Sequence, residues 1–206
     1  MISTDKAIVK NCAVVILAAG ASQRFGEPKQ LLMHNGSSLL KHAVAEAVNA
    51  NAEQVIVVLG ANADIMMKEF DENEVRVVIN TGWEEGMASS IRAGINALFE
   101  ISGSADAAIL MPCDQPYVSA SLLNDLMSRQ EETGKRIIAC DYGEALGPPS
   151  LFHKDLFAEL LILRGDTGAR TIIQSHSDDV ATVVFTKGSV DIDTAEDYQA
   201  LKSLSS

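Results

Sequence analysis

The sequence predicts an α/β fold: a single domain built on a mostly parallel, doubly wound sheet. Two observations carry this. Short apolar runs rich in Val and Ile alternate with amphipathic stretches along the 206 residues, and such alternation folds as a parallel sheet with helices on both faces. The runs are largely continuous in apolar residues, not apolar at every second position, as expected of strands buried on both faces. The length suits one domain of residues 1–206, with no repeat, low-complexity tract or Pro/Ser-rich linker to divide it.

The predicted strands are Cys12–Ala18, Gln54–Leu59, Val75–Ile79, Ala105–Met111, Arg136–Cys140 and Val180–Phe185, bounded by Gly, Asn or Pro. Between them, cap residues and i, i+3, i+4 spacing mark helices. Ser38 caps a helix carrying Leu40, Val44, Ala47 and Val48 on one face, and Asn62 caps one carrying Ile65, Met66 and Phe70. Met87–Ile101 aligns Ile91, Ile95, Leu98 and Phe99, while Ser119–Arg129 gathers Leu122, Leu123 and Leu126. Gly147–Phe152, with two prolines, is expected to be a rigid turn, and helices follow at Lys154–Leu163, Thr167–Gln174 and Thr194–Leu204.

Lys and Arg number 16 against 28 Asp and Glu, a net charge of −12. That balance argues against a general nucleic-acid binder, whose affinity comes from cations neutralising phosphates. A small phosphorylated ligand needs only a few local cations. Cys12, Cys113 and Cys140 form no CxxC pair; an odd, low count predicts reduced thiols and a cytoplasmic protein. The longest early apolar run, Cys12–Ala19, is too short to span a membrane and does not read as a signal peptide. His34, His42, His153 and His176 include no i, i+4 pair and suggest no zinc site.

Parallel sheets bind ligands beyond the carboxyl ends of their strands, so chemistry is expected in the loops that follow the runs. The first strand leads into Leu17-Ala18-Ala19-Gly20-Ala21-Ser22-Gln23-Arg24-Phe25-Gly26-Glu27-Pro28-Lys29. Its small residues let a ligand approach the backbone, whose N–H groups converge on anions. Ser22 adds a hydroxyl, and Arg24 and Lys29 add positive charge. The P-loop and G-x-G-x-x-G patterns are both absent. A plain strand-to-helix turn with solvated charges is the alternative.

The third strand leads into Asn80–Ser90, which holds the only Trp, Trp83, between Gly82 and Gly86 and ahead of a helix. Helix N-termini offer unpaired N–H groups to polar ligands; alternatively Trp83 packs as a lid on the core. The fourth strand ends at Met111-Pro112-Cys113-Asp114-Gln115-Pro116. Asp114 there suits Mg²⁺, which takes oxygen ligands and substrate phosphates, or caps the next helix. Cys113 reads as a small core-filling residue. Near the end, alternation places Asp191 and Asp193 on one face, unless Thr194 and its acidic neighbours simply start a helix.

These segments, taken together, resemble the MobA-like nucleotidyltransferases, over about residues 12–201. Leu17–Lys29 resembles their L-A-A-G-x-S-x-R-x-G-x-x-K signature, Asn80–Ser90 the N-x-x-W-x-x-G-M-x-x-S segment, and Asp114-Gln115-Pro116 the D-x-P motif. Gly147–Phe152, Gly165–Arg170 and Asp191–Tyr198 resemble G-x-P-x-x-F, G-D-x-G-A-R and D-I-D-T-P-E-D-Y, with Ala195 replacing the usual proline. The resemblance is closest to the molybdenum cofactor cytidylyltransferases, because Ala19 stands where guanylyl-transferring relatives have a second glycine.

The resemblance implies a Rossmann-like nucleotidyltransferase fold, with a nucleotide-binding part at about residues 12–118 and an acceptor-binding part at about 119–206. It implies nucleotide binding by Leu17, Ala18, Ala19, Gly20, Ser22, Arg24, Lys29, Gly86, Ser89 and Ser90, and catalysis by Lys29, Arg24 and Asp114. Asp114 and Asp193 would hold Mg²⁺, and Pro149 and Arg170 would face the acceptor. The implied reaction moves CMP from CTP to the terminal phosphate of molybdopterin or molybdenum cofactor, releasing pyrophosphate, with a molybdenum hydroxylase as recipient and no nucleic acid or membrane involved. The alternatives are another phosphate acceptor such as a sugar or polyol phosphate, a non-catalytic cofactor-delivery factor, and an oxidoreductase on a related fold.

Overall fold

The computed structural model describes residues 9–22, 25–100, 105–190, 192, 194, 197–199 and 201. Along the chain run β1 (Cys12–Ala18), β2 (Met33–His34), β3 (Ser37–Ser38), α1 (Leu39–Val48), β4 (Gln54–Leu59), α2 (Ala63–Met66), β5 (Arg76–Ile79) and α3 (Met87–Phe99). They are followed by β6 (Ala107–Pro112), α4 (Ala120–Thr133), β7 (Ile137–Asp141), β8 (Leu146–His153), α5 (Phe157–Ile162), α6 (Arg170–Ser175) and β9 (Val180–Val184). Seven strands form one sheet in the order β5-β4-β1-β6-β8-β7-β9. Neighbours are parallel except around β8, which runs antiparallel to β6 and β7.

β1 lies near the middle of the sheet, and its composition explains why. Val14, Ile16 and Ala18 join a core layer with Leu40 and Val44 of α1 and Leu123 and Leu126 of α4. Ala13 and Val15 face the opposite layer, made by Ile91 and Ile95 of α3, Leu160 of α5 and Ile172 of α6. Both faces of the strand are covered, so no polar position is tolerated on either. Helix α3 comes especially close: a Cβ on Gly94 would run into Val15 and Val58.

Ser38 and Ser119 cap α1 and α4 as expected, accepting hydrogen bonds from Lys41 N and Leu122 N at 3.1 and 3.3 Å. Asn62 does not cap with its side chain. It is left-handed, with φ +59°, and α2 lasts only four residues. The helix expected at Thr167–Gln174 begins at Arg170, after Ala169, with no side-chain cap.

Gly147–Phe152 is not a turn but part of β8, an eight-residue strand inside the sheet. Proline lacks the N–H that a ladder requires and is tolerated at bulges. The β7–β8 register supplies one: Ser150 faces Ala139 while Gly147 faces Cys140, so Pro148 and Pro149 fall in the skipped interval. Pairing with β6 begins only at Ser150. The runs read as β5 and β9 are edge strands and half-exposed, not buried on both faces.

A small cluster packs the segment around residues 192–201 against the residues that lead into α1. Ile192 and Leu201 are buried with Leu32 and Leu39, and Phe25, Tyr117 and Tyr198 pack against them. Thr194 and Asp197 bond reciprocally, as in a capping box: Asp197 N donates to Thr194 Oγ1 at 3.2 Å and Thr194 N to Asp197 Oδ2 at 2.8 Å. Among the described residues, no helix is long and apolar enough to cross a membrane.

Candidate active site

From β1 the chain moves to β4 and β5 on one side, then returns to β6 on the other. This reversal is a topological switch point, where such sheets hold ligands. A cleft of about 600 Å³ opens there. Leu17–Ser22 form one wall, Pro112–Asp114 extend from the adjacent strand, and Trp83, Gly86, Met87 and Ser90 close the side.

Lys29 and Asp114 meet in this cleft. Lys29 Nζ donates to Asp114 Oδ2 at 2.5 Å, with the two side chains 20% and 17% exposed. Lys29 is the only cationic side chain among the described residues lining the cleft; Asp114, Glu84 and Asp166 are its acids. Arg24, Asp191 and Asp193 lie outside the described residues. Cys113 is buried beside Asp114, and burial followed by that neighbouring charge pushes its thiol up to about 12. It fills space and is no nucleophile at neutral pH.

The first loop is shaped by a residue that sequence reasoning passed over. Gln30 is 1% exposed; its Nε2 donates to Ala18 O and Gly20 O at 3.1 and 2.7 Å. Its Oε1 accepts from Ser22 Oγ at 3.2 Å, and that hydroxyl in turn accepts from Lys29 N at 3.1 Å. Ser22, with φ +53°, is thus bonded inside the loop while lining the cleft.

Asn80 organises the middle loop. Its Oδ1 accepts from Gly82 N at 3.0 Å, and its Nδ2 donates to Ser89 Oγ and Ser90 Oγ at 2.8 and 3.1 Å. Ser89 Oγ donates to Gly86 O at 2.8 Å. Ser90 lines the cleft, whereas Ser89 lies beneath it and holds Asn80 and Gly86. Trp83 is partly buried against the core and also lines the cleft, with its Cβ where a side chain on Gly60 would sit.

The loop after α5 is drawn to the same place. Arg92 donates to both oxygens of Glu85 at 2.9 and 2.5 Å and to Leu163 O at 2.7 Å. Ala88 N donates to Gly165 O at 3.0 Å. Gly86, at φ +114°, leaves room for Gly165 and Asp166, which any Cβ there would strike. Asp166 therefore reaches this cleft from the part of the chain expected to bind the acceptor.

Arg170 lines a second, largely apolar cavity of about 210 Å³ with Leu110, Pro148, Phe152 and Ile173. Leu17, Met87 and Pro112 border both cavities, so the two are adjacent. Pro149 is buried, and its neighbours Pro148 and Ser150 face this second cavity.

Residues 14–180 match the model of the MobA-like NTP transferase domain. Over 114 residues the chain is 33% identical to nicotine blue oxidoreductase of Paenarthrobacter nicotinovorans, covering 55% of this chain and 54% of that one. Over 121 residues it is 36% identical to a protein of Bacillus mycoides named "probable molybdenum cofactor guanylyltransferase", covering 59% of this chain and 58% of the relative. The chain thus spans just over half the length of these two relatives. Rv0371c of Mycobacterium tuberculosis H37Rv has a crystal structure 31% identical in sequence, with a TM-score of 0.81, covering 94% of this chain and 97% of that one. Another structure of Rv0371c, 27% identical with a TM-score of 0.77 and covering 93% of this chain and 98% of that one, is a manganese complex. The cleft at the switch point, with its small-residue loop and its Lys29–Asp114 pair, lies within the matched segment, and the chain belongs to the MobA-like NTP transferase family of nucleotidyltransferases.

Proposed function

We propose that this nucleotidyltransferase moves CMP from CTP to the terminal phosphate of molybdopterin or molybdenum cofactor and releases pyrophosphate. The observation that carries the reading is the meeting of Lys29 with Asp114 at the switch point, beside an apolar cavity flanked by Arg170. The first cavity suits the nucleotide and the second a flat acceptor ring, with Arg170 and the Pro148–Pro149 segment on the acceptor side. The relative named "probable molybdenum cofactor guanylyltransferase" supports the acceptor class. Ala19, in place of a second glycine, supports the smaller cytosine base.

The attacking group is a phosphate monoester, already largely dianionic at neutral pH because its second pKa is about 6. No general base is needed. The difficulty is bringing two polyanions together. Lys29 and Arg24 stabilise charge gathering on the transferred phosphate and on the departing pyrophosphate. Leu17–Gly20 and Ser22 bring backbone close to the triphosphate, and Gly86 and Ser90 wall the base and ribose, with Ser89 holding Gly86 from below. Asp114, with Asp193 and phosphate oxygens, would hold Mg²⁺; oxygen donors from one or two carboxylates, substrate and water are the set this cation prefers. Once bound, Mg²⁺ withdraws charge from the phosphate oxygens. We place the reaction in the cytoplasm on the strength of three unpaired thiols, with a molybdenum hydroxylase receiving the product.

The test is pyrophosphate release with CTP, GTP or ATP, in the presence of molybdenum cofactor or of sugar and polyol phosphates. Release with CTP and molybdenum cofactor alone is expected. Release only with another acceptor would overturn the acceptor assignment, and cofactor binding without release would make the chain a delivery factor. Nicotine blue oxidoreductase among the relatives favours a second reading: turnover of a nicotinamide cofactor with no pyrophosphate released would select it.

A further inference from the structure

Gln30 stands next to the cation of the site, yet its side chain is directed into the protein, 1% exposed. A buried amide is ordinarily kept only where its hydrogen bonds are met, and here three bonds go to the end of β1 and the loop after it. Its Nε2 holds the carbonyls of Ala18 and Gly20, and its Oε1 holds the hydroxyl of Ser22. In a trans peptide the C=O and the following N–H point in opposite directions, and the cis bond recorded among the described residues is Pro148–Pro149. Carbonyls turned onto Gln30 therefore turn the N–H groups of Ala19 and Ala21 away from it. Neither N–H donates to any other group among the described residues, and both residues line the cleft.

We infer that Gln30 is a positioning residue for phosphate: it fixes the loop in the form in which the Ala19 and Ala21 amides receive the polyphosphate tail. The inference rests on the reading that this loop takes the phosphates, and adds what holds it ready. Ser22 couples the same amide to Lys29 N, so the backbone donors and the start of the Lys29 turn are set by one side chain.

The experiment uses the full chain with inorganic tripolyphosphate, titrated by calorimetry, and with cytidine, followed by NMR. Gln30→Glu keeps the size and one acceptor but opposes an oxygen to two carbonyl oxygens; Gln30→Met keeps the bulk and makes no hydrogen bond. Each is expected to weaken tripolyphosphate binding about tenfold or more, the scale of lost hydrogen bonds to a charged ligand, while cytidine affinity stays within about twofold. A merely structural role would move both probes together. Ser22→Ala leaves the buried amide in place and covers the case in which neither Gln30 variant folds; a loss of about threefold for tripolyphosphate alone is expected. If the unaltered protein binds tripolyphosphate and the folded variants match it, Gln30 has no positioning role and the phosphate loop stands. If the unaltered protein binds none, the phosphate reading itself fails and this inference falls with it.

Discussion

Replacing Lys29 with alanine separates two effects that its contact with Asp114 joins. The ammonium lies 2.5 Å from Asp114 Oδ2, with both side chains about four-fifths covered (20% and 17% exposed) at the edge of an open cleft. In the nucleotide-free protein it therefore occupies a carboxylate oxygen that a divalent cation would use. An ion pair still reached by solvent is worth about 1 kcal/mol or less, so its removal should tighten Mn²⁺ binding to the free protein by up to roughly fivefold. Turnover should move the other way. Loss of one preorganised group that stabilises transition-state charge costs about 3–4 kcal/mol, or roughly 10²–10³ in kcat. Calorimetry with Mn²⁺ alone and pyrophosphate release at saturating CTP measure the two separately. Lys29→Arg should recover turnover only in part, because a planar guanidinium does not replace a point charge. Turnover of Lys29→Ala within tenfold of the unaltered protein would refute the catalytic role. Metal affinity falling together with turnover would refute the competition, showing that Lys29 supports the carboxylate for metal rather than contending for it.

Three further outcomes are expected. Ala19→Gly removes a methyl group lying beside Gly60 and Trp83, and should shift the CTP-to-GTP ratio of kcat/KM toward GTP by about 10–200-fold, the usual reach of a single carbon in a pocket. Gly94→Ala drives a methyl into Val15; the resulting overpacking should cost about 1–3 kcal/mol, lowering Tm by about 2–4 °C for each kcal/mol. Asp106 accepts from Lys154 Nζ at 2.8 Å and from the N–H groups of Lys10 and Asn11, and the Lys154 hydrogen bond leads in holding its carboxyl below the ordinary range. A depressed native carboxyl contributes stability above the unfolded pKa of about 3.9 and loses it as pH falls through the native value. Asp106→Asn should thus flatten the acid side of a Tm-against-pH curve below about pH 5, while leaving its shape above pH 6 unchanged.

The fold was legible where burial on both faces forces a run to be apolar. Cys12–Ala18 and Gln54–Leu59 read from sequence coincide with β1 and β4 because neither face of these strands meets water. The reading failed where local chemistry and tertiary context disagree. Pro148 and Pro149 signal a turn, yet β8 carries them within the sheet because a bulge against β7 removes the need for their N–H groups; no local pattern announces that. The β2–β3 hairpin did have a local signal, since Asn35-Gly36 has positive φ at both positions, as the turn of a tight hairpin requires.

At the site, the residues visible in sequence are those whose side chains carry their own chemistry: Lys29, and Asp114 at the end of a strand. The ones missed act through placement. Gln30 and Asn80 serve by fixing loop carbonyls and hydroxyls, and Glu85 and Arg92 by fastening the loop after α5, so Asp166 enters a cleft built otherwise from residues 17–114. This placement also bears on how a chain of net charge −12 would take the polyanion proposed above. The described residues of the cleft supply one cation against three carboxylates, and side-chain charge alone would repel a triphosphate. On the proposed reading, attraction would draw on groups outside that count: backbone N–H dipoles of the loop after β1, the charge that Arg24 adds to that loop's sequence, and a divalent cation at Asp114. With main-chain dipoles fixed by folding and a metal that would travel with its nucleotide, a site of the proposed kind would need few lysines.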